Sequence, residues 1–232
     1  MKKKKTFYAT CVNVIAWVIS LICLIPLLII ILNSLKDKQT AAAMDLSLPA
    51  FPIQWENFAV VIEKGKLLTS LGNSVTYSVG SVLLCAVTAV MAAYVLSRNA
   101  TKCNKLLYLY MALGITLPVN YVALMKVMQF LHINNTKLGI ILLYTAMQLP
   151  FSVFLIHGFI ARIPLDLDEA ASIDGCGSVR LFFSVILPLL KPVLATVFVL
   201  TFLNTWNEFV SPLYFLGSSE KWPMTLSVYN FF

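Results

Sequence analysis

The sequence predicts an all-α membrane protein, a polytopic helical bundle with five transmembrane helices. Three observations carry this. Of 232 residues, 59% are apolar and 12% charged, with a mean hydropathy of +0.86; a soluble domain carries about 25% charged side chains, so much of this surface must face lipid. A bilayer core of roughly 30 Å is crossed by about 20 apolar helical residues, and five runs reach that length: residues 10–33, 73–97, 106–130, 138–160 and 190–216. These runs are apolar throughout instead of alternating, which argues against barrel strands.

Taken in order, the first run follows Lys2, Lys3, Lys4 and Lys5. A secretory signal core is about 7–15 residues long, and this run is longer, so it is expected to be retained as a helix. Cys23 follows Leu21 and Ile22 and lacks the small residue that a lipoprotein site wants before it. Residues 34–72 form a long outer loop with Pro49, Pro52 and Trp55, read as an amphipathic stretch at the membrane surface. Residues 98–105 are a tight basic turn after the second span, and Asn134-Asn135 mark a turn after the third. Residues 161–190 separate the fourth and fifth spans. Gly217, Ser218, Ser219 and Pro223 belong to a second outer loop at 217–225. Residues 1–232 are expected to form a single transmembrane domain.

The net charge of +7 does not call for a nucleic-acid partner, because the basic residues gather at the ends of apolar runs. There they set topology. One side of the membrane receives the four N-terminal lysines, Arg98, Lys102, Lys105, Arg162, Arg180 and Lys191. The other receives Lys36, Lys38, Lys64, Lys66, Lys137 and Lys221, mostly mixed with acids. The expected location is the cytoplasmic membrane, multi-pass, with the N-terminus and residues 161–190 cytoplasmic.

No enzyme chemistry is legible. Cys11, Cys23, Cys85, Cys103 and Cys176 form no CxxC pair and read as small buried hydrophobes. His132 and His157 have no ligand partner at i+4, and no zinc, nucleophile or phosphate-loop pattern occurs. The chain is expected to hold no cofactor of its own, any ATP being bound by another chain.

Polar residues inside the spans recur at helical spacing. Ser74, Ser78, Ser81, Cys85 and Thr88 share a face of the second span; Thr145, Gln148 and Ser152 share one of the fourth; Thr201, Asn204, Thr205, Glu208 and Ser211 share one of the fifth. Unsatisfied polar groups are costly in lipid, so these faces turn inward. They read either as helix–helix glue or as the wall of a path for a neutral solute rich in hydroxyls. The candidate path residues are Gln148, Thr201, Asn204, Thr205 and Glu208. Glu208 stands 17 residues beyond Lys191, roughly 25 Å along a helix, near the outer boundary.

Residues 161–190 read as a helix–turn–helix. Pro164 suits a first-turn position, and Asp166, Asp168 and Glu169 complement a helix N-terminus. Gly175 after Asp174 suits a left-handed stop. Ser178 is placed to cap a second helix, whose apolar face is Leu181, Phe182, Val185 and Ile186. Pro188 and Pro192 bend the chain into the fifth span. Ala170 and Ala171 leave a thin face that could enter a groove on a partner.

Glu169-Ala170-Ala171, then Asp174-Gly175, Phe182 and Ile186-Leu187-Pro188 match at fixed spacing. This block resembles the EAA loop of ABC importer permeases, the element that docks on an ATPase subunit. The whole chain resembles the carbohydrate-uptake group, the maltose/multiple-sugar type, and within it the shorter second permease. Asn73-Ser74, Trp206-Asn207-Glu208-Phe209 and Pro212-Leu213 support this with less specific fragments. The resemblance implies an inward permease for a sugar or oligosaccharide, with ATPase coupling at Glu169, Ala170, Ala171, Asp174, Gly175, Phe182, Ile186 and Pro188. It implies two ABC ATPase subunits, a second permease in a heterodimer, an extracytoplasmic sugar-binding protein and surrounding membrane lipid as partners. It also implies a sixth helix after Phe231-Phe232. Ser227-Val228-Tyr229-Asn230 reads as the beginning of a further element, so truncation is expected. A permease for a polyamine, phosphate or peptide would share the EAA logic but favours a dense charged stripe, where the spans, Lys191 at an end aside, hold only Glu208 and Lys126. A stand-alone channel needs no coupling loop, and a membrane enzyme would need clustered His, Asp or Glu at depth.

Overall fold

The computed structural model describes residues 2–99 and 101–231, the side chains of residues 2–7 and 9 aside. Phe232 and the side chains of Lys2, Lys3, Lys4 and Lys5 therefore lie outside the described residues. Among the described residues there is no strand. The chain divides into two compact units between Lys64 and Gly65.

The first unit holds α1 (Lys2–Ser34), α2 (Lys38–Ala41) and α3 (Glu56–Lys64). Within α1, Thr10–Ser34 has a mean hydropathy of 3.1 and no buried residue in its apolar window. A helix apolar all round is at home in lipid, not in water. After α1 the backbone folds around Lys36, whose side chain is buried. Its Nζ donates to Asn33 Oδ1 at 2.9 Å, Asp45 Oδ1 at 2.6 Å and Ser47 Oγ at 2.8 Å. Asp37 caps α2 by accepting from the amides of Gln39 and Thr40. Trp55, just before α3, and Phe58 and Ile62 within it are exposed, and α3 buries no residue. The stretch 34–72 is thus more ordered than a loop.

The second unit begins with α4 (Leu67–Arg98), six residues earlier than the predicted span. It continues with α5 (Lys102–Thr116), α6 (Tyr121–Phe130), α7 (Lys137–Ile160), α8 (Asp166–Ile173) and α9 (Ser178–Leu181). A π-helical turn (Phe182–Ile186), α10 (Leu187–Leu189), α11 (Lys191–Asn207), α12 (Val210–Phe215) and α13 (Met224–Ser227) follow. Thr101, Asn120 and Thr136 start α5, α6 and α7 by accepting from the amides of Asn104, Ala123 and Gly139.

The centre of this unit is α4, packed against α7 and α11, with α5 on the outer side of α7. One row of its buried side is small, Ser70, Ser74, Ser78, Ser81, Cys85, Ala89 and Ala93, with Asn73, Tyr77, Val82 and Val90 buried beside it. Small side chains let helix backbones approach closely. Thus a Cβ on Gly80 would sit 3.0 Å from Ile141 Cδ1. Cys85 Sγ donates to Ser152 Oγ at 3.4 Å, and Ser81 Oγ to the Tyr77 carbonyl at 2.6 Å. Leu83, Val87, Met91 and Val95 are exposed on the other side of α4 and provide its lipid face. Of the five cysteines, all free, only Cys85 is buried, so the reading of the set as buried hydrophobes holds for that one.

Among the described residues three helices, α1, α4 and α7, are long and apolar enough to cross a membrane unaided, and two sharply bent helix pairs would each add a crossing if taken as one span. The predicted continuous span 106–130 is broken between α5 and α6, which diverge by 119°. Pro118 is the cause: it disfavours helix at Leu117, which is extended (φ −76°, ψ 130°). The bend expected from Pro188 and Pro192 is present, 73° at Leu190 just before α11, where Pro192 offers no amide. The predicted span 190–216 breaks beyond it. At its other end α11 stops at Asn207, and Glu208 is extended (φ −68°, ψ 125°).

Candidate functional site

Residues 161–190 fold as a helix–turn–helix. The carbonyl of Leu165 accepts from the amides of Asp168 and Glu169 at 2.8 and 3.1 Å, starting α8. Pro164 lies just before that first turn, not within it, and its carbonyl accepts from Leu167 at 3.4 Å. At the other end Gly175 is left-handed at φ +81°. Its amide donates to the Ser172 carbonyl at 3.1 Å, and the Cys176 amide to the Ala171 carbonyl at 2.9 Å. That pair is a Schellman closure, and it needs a residue tolerant of the left-handed region at position 175. The expected Ser178 cap is not formed: Gly177 occupies the cap position, and Ser178 is the first residue of α9. After Leu181 the helix widens into a π turn, with the Leu187 amide donating to the Phe182 carbonyl. Pro188 has no amide for Ser184, so the ordinary ladder cannot run through this point.

This geometry sorts the motif residues. Ala171, Leu181, Phe182 and Ile186 are buried in the same cluster as Ala89 and Ala93 of α4 and Ile156 and Ile160 of α7. Glu169, Ala170, Asp174, Gly175 and Pro188 are exposed. Ala171 therefore turns into the protein's own core, and the thin outward face is carried by Ala170. Beside it stand Ile173 and Val179, 86% and 71% exposed. These two were not singled out by the sequence; an apolar side chain in an otherwise buried-facing pattern is visible only once the face is known.

Arg98 and Tyr94, the last turn of α4, were also missed. Arg98 reads in the sequence as a topology charge only. In the structure its Nε lies 2.7 Å from Asp168 Oδ2, and its Nη1 donates to the Ile163 carbonyl at 3.2 Å. Tyr94 packs on Phe182, with ring centroids 5.0 Å apart.

The polar faces separate likewise. Ser74, Ser78, Ser81 and Cys85 are buried between helices, the arrangement of glue. Thr201 and Thr205 are buried too, and Thr205 Oγ1 donates to the Thr201 carbonyl at 2.8 Å. Glu208 accepts from the Ser211 amide at 2.9 Å and holds the first turn of α12, so it serves the break in the backbone. Gln148 and Asn204 meet instead: Asn204 Nδ2 donates to Gln148 Oε1 at 3.1 Å, on the open side of α7 and α11. Asn204 lies 13 residues from Lys191 and Gln148 lies 11 from Lys137. At 1.5 Å per residue these are roughly 20 and 17 Å from opposite ends, so the pair sits near mid-membrane.

Comparison with known proteins places this architecture. The family described as binding-protein-dependent transport system inner membrane component matches residues 85–231. The diacetylchitobiose uptake system permease protein of Streptomyces coelicolor is 35% identical over 208 residues, covering 89% of this chain and 68% of that protein. The melibiose/raffinose/stachyose import permease protein of Bacillus subtilis is 31% identical, covering 100% of this chain and 84% of its own. Among solved structures, a bacterial ABC transporter involved in the import of the acidic polysaccharide alginate superposes with a TM-score of 0.81 at 23% identity, over 96% of this chain and 78% of that one, and shares the fold. The chain belongs to the inner membrane components of binding-protein-dependent transport systems.

Proposed function

We propose that this chain is the permease subunit through which a sugar or oligosaccharide enters the cell, driven by ATP hydrolysis on separate ATPase subunits. The observation that carries the reading is the helix–turn–helix. It offers Glu169, Ala170, Ile173 and Val179 outward while anchoring Ala171, Phe182 and Ile186 in the core. Such a surface, polar at one edge and apolar at the other, suits a protein groove. The ATPase would engage the exposed residues Glu169, Ala170, Asp174 and Gly175; Ala171, Phe182, Ile186 and Pro188 would set the shape of the loop. The basic residues beside this loop support a cytoplasmic position for it and for the N-terminus.

The remaining assembly follows from that role: a second permease to complete the path, an extracytoplasmic sugar-binding protein to deliver the solute, and lipid around the outer faces. The chain itself holds no cofactor and does no chemistry. Gln148 and Asn204 are the residues proposed to line the path, with Thr201, Thr205 and Glu208 shaping the helix behind them. The sugar assignment is supported by relatives named for diacetylchitobiose and for melibiose, raffinose and stachyose, and by an amide pair that matches hydroxyls and carries no charge.

The test is uptake by proteoliposomes containing the full transporter with its binding protein, supplied with radiolabelled raffinose, diacetylchitobiose or spermidine. ATP-dependent entry of either sugar class, and none of the polyamine, is expected. Entry of spermidine alone would overturn the sugar reading.

A further inference from the structure

Beyond the motif itself, the structure ties the helix–turn–helix to a helix that the sequence does not link to it. Arg98 ends α4 and Asp168 stands in the first turn of α8. A cation at a helix C-terminus and an anion at a helix N-terminus each complement their own helix dipole, so the pair joins two helix ends that favour these charges. Its two side chains are 12% and 19% exposed. In that setting solvent screens the contact far less than at an open surface. The guanidinium also reaches the Ile163 carbonyl between α7 and α8, so one side chain holds three elements together. Tyr94, one turn earlier on the same face, meets Phe182 on the far side of the turn. Both arms of the helix–turn–helix therefore rest on the last turn of α4.

We propose that Arg98 is a positioning residue that clamps the helix–turn–helix to α4 through Asp168, so that displacement of the loop by the ATPase is delivered to α4 and, through it, to α7. This rests on the coupling role proposed above. The covalent routes out of the loop are both interrupted: back to α7 through the non-helical residues 161–165, and on to α11 through the π turn and the bend at Leu190. With the clamp, the loop moves with the unbroken helix at the centre of the unit.

The test has two arms, using Arg98→Gln, Asp168→Asn and the double variant. In the isolated chain in detergent, amide exchange across residues 165–176 is expected to speed up on the order of fivefold in either single variant, and no further in the double, since both remove one interaction. In the complex with its ATPase, adenylyl imidodiphosphate is added as the probe. In the unaltered chain it is expected to change exchange both in residues 165–176 and in residues 85–98. In the variants the loop still responds and residues 85–98 do not. Additive effects in the first arm, or an unchanged α4 response in the second, would overturn the clamp. If the unaltered chain captures no ATPase, the coupling role fails, and the clamp is judged by the first arm alone.

Discussion

Lys36 gathers oxygens from Asn33, Asp45 and Ser47, and its contact with Asp45 has a measurable consequence. The Lys36 ammonium, followed by the Ser47 hydroxyl and amide, holds the Asp45 carboxyl down to about 2. A carboxyl depressed in the folded state stabilises the fold above its ordinary range near 4, and that contribution fades as pH falls from about 4 towards 2. Carbon NMR of the Asp45 carboxyl in detergent is expected to show a midpoint near 2, rising towards about 4 in Lys36→Met. Gly139 gives a second residue-scale prediction. A Cβ there would collide with the Ile133 carbonyl oxygen and press on Thr136 Oγ1 at 3.0 Å. Gly139→Ala is expected to cost about 1–3 kcal/mol, the scale of overpacking, read as a lower thermal midpoint of the purified protein. Neither site was legible beforehand: Lys36 read as a loop charge, and nothing in the sequence says what approaches Gly139.

At the scale of elements, the sequence conveyed composition better than continuity. Hydropathy found every apolar run, because a bilayer demands length and apolarity. It passed over the breaks at Pro118 and Glu208, because a broken and an intact helix of the same residues score alike; the bend at Leu190 was legible only through Pro188 and Pro192. Gly175 was legible as a left-handed stop because few other residues accept that backbone; Ser178 was misplaced by one position because Gly177 takes the cap. This distinction is testable. Gly175→Ala is expected to cost about 1 kcal/mol through its positive φ. Gly177→Ala, at φ −69° with open space around it, should leave the thermal midpoint unchanged. The small stripe of α4 yields a paired prediction. Ala89→Leu forces bulk into a fully buried helix contact and should abolish the folded, monodisperse species in size-exclusion chromatography. Val87→Leu, 57% exposed on the lipid face, should elute unchanged.

For the whole molecule, the motif and the architecture meet in one claim: an apolar bundle carries a helix–turn–helix whose inner residues belong to its core and whose outer residues await a partner. The sequence supplied the motif, but could not say that Ala171 faces inward or that α4 bears the load, since both depend on how distant segments pack. Thr201 and Thr205 show the same limit. Their spacing matched Asn204, yet packing of α11 against α4 buries them and leaves Asn204 with Gln148 on the open side. The most direct measurement is co-purification in detergent of the cognate ATPase with the intact chain and with Glu169→Lys plus Gly175→Pro. The ATPase is expected to follow the intact chain and to be lost with the double change, while the altered chain still elutes as a folded species. An ATPase that binds both equally, or neither, would contradict the coupling role of residues 161–190.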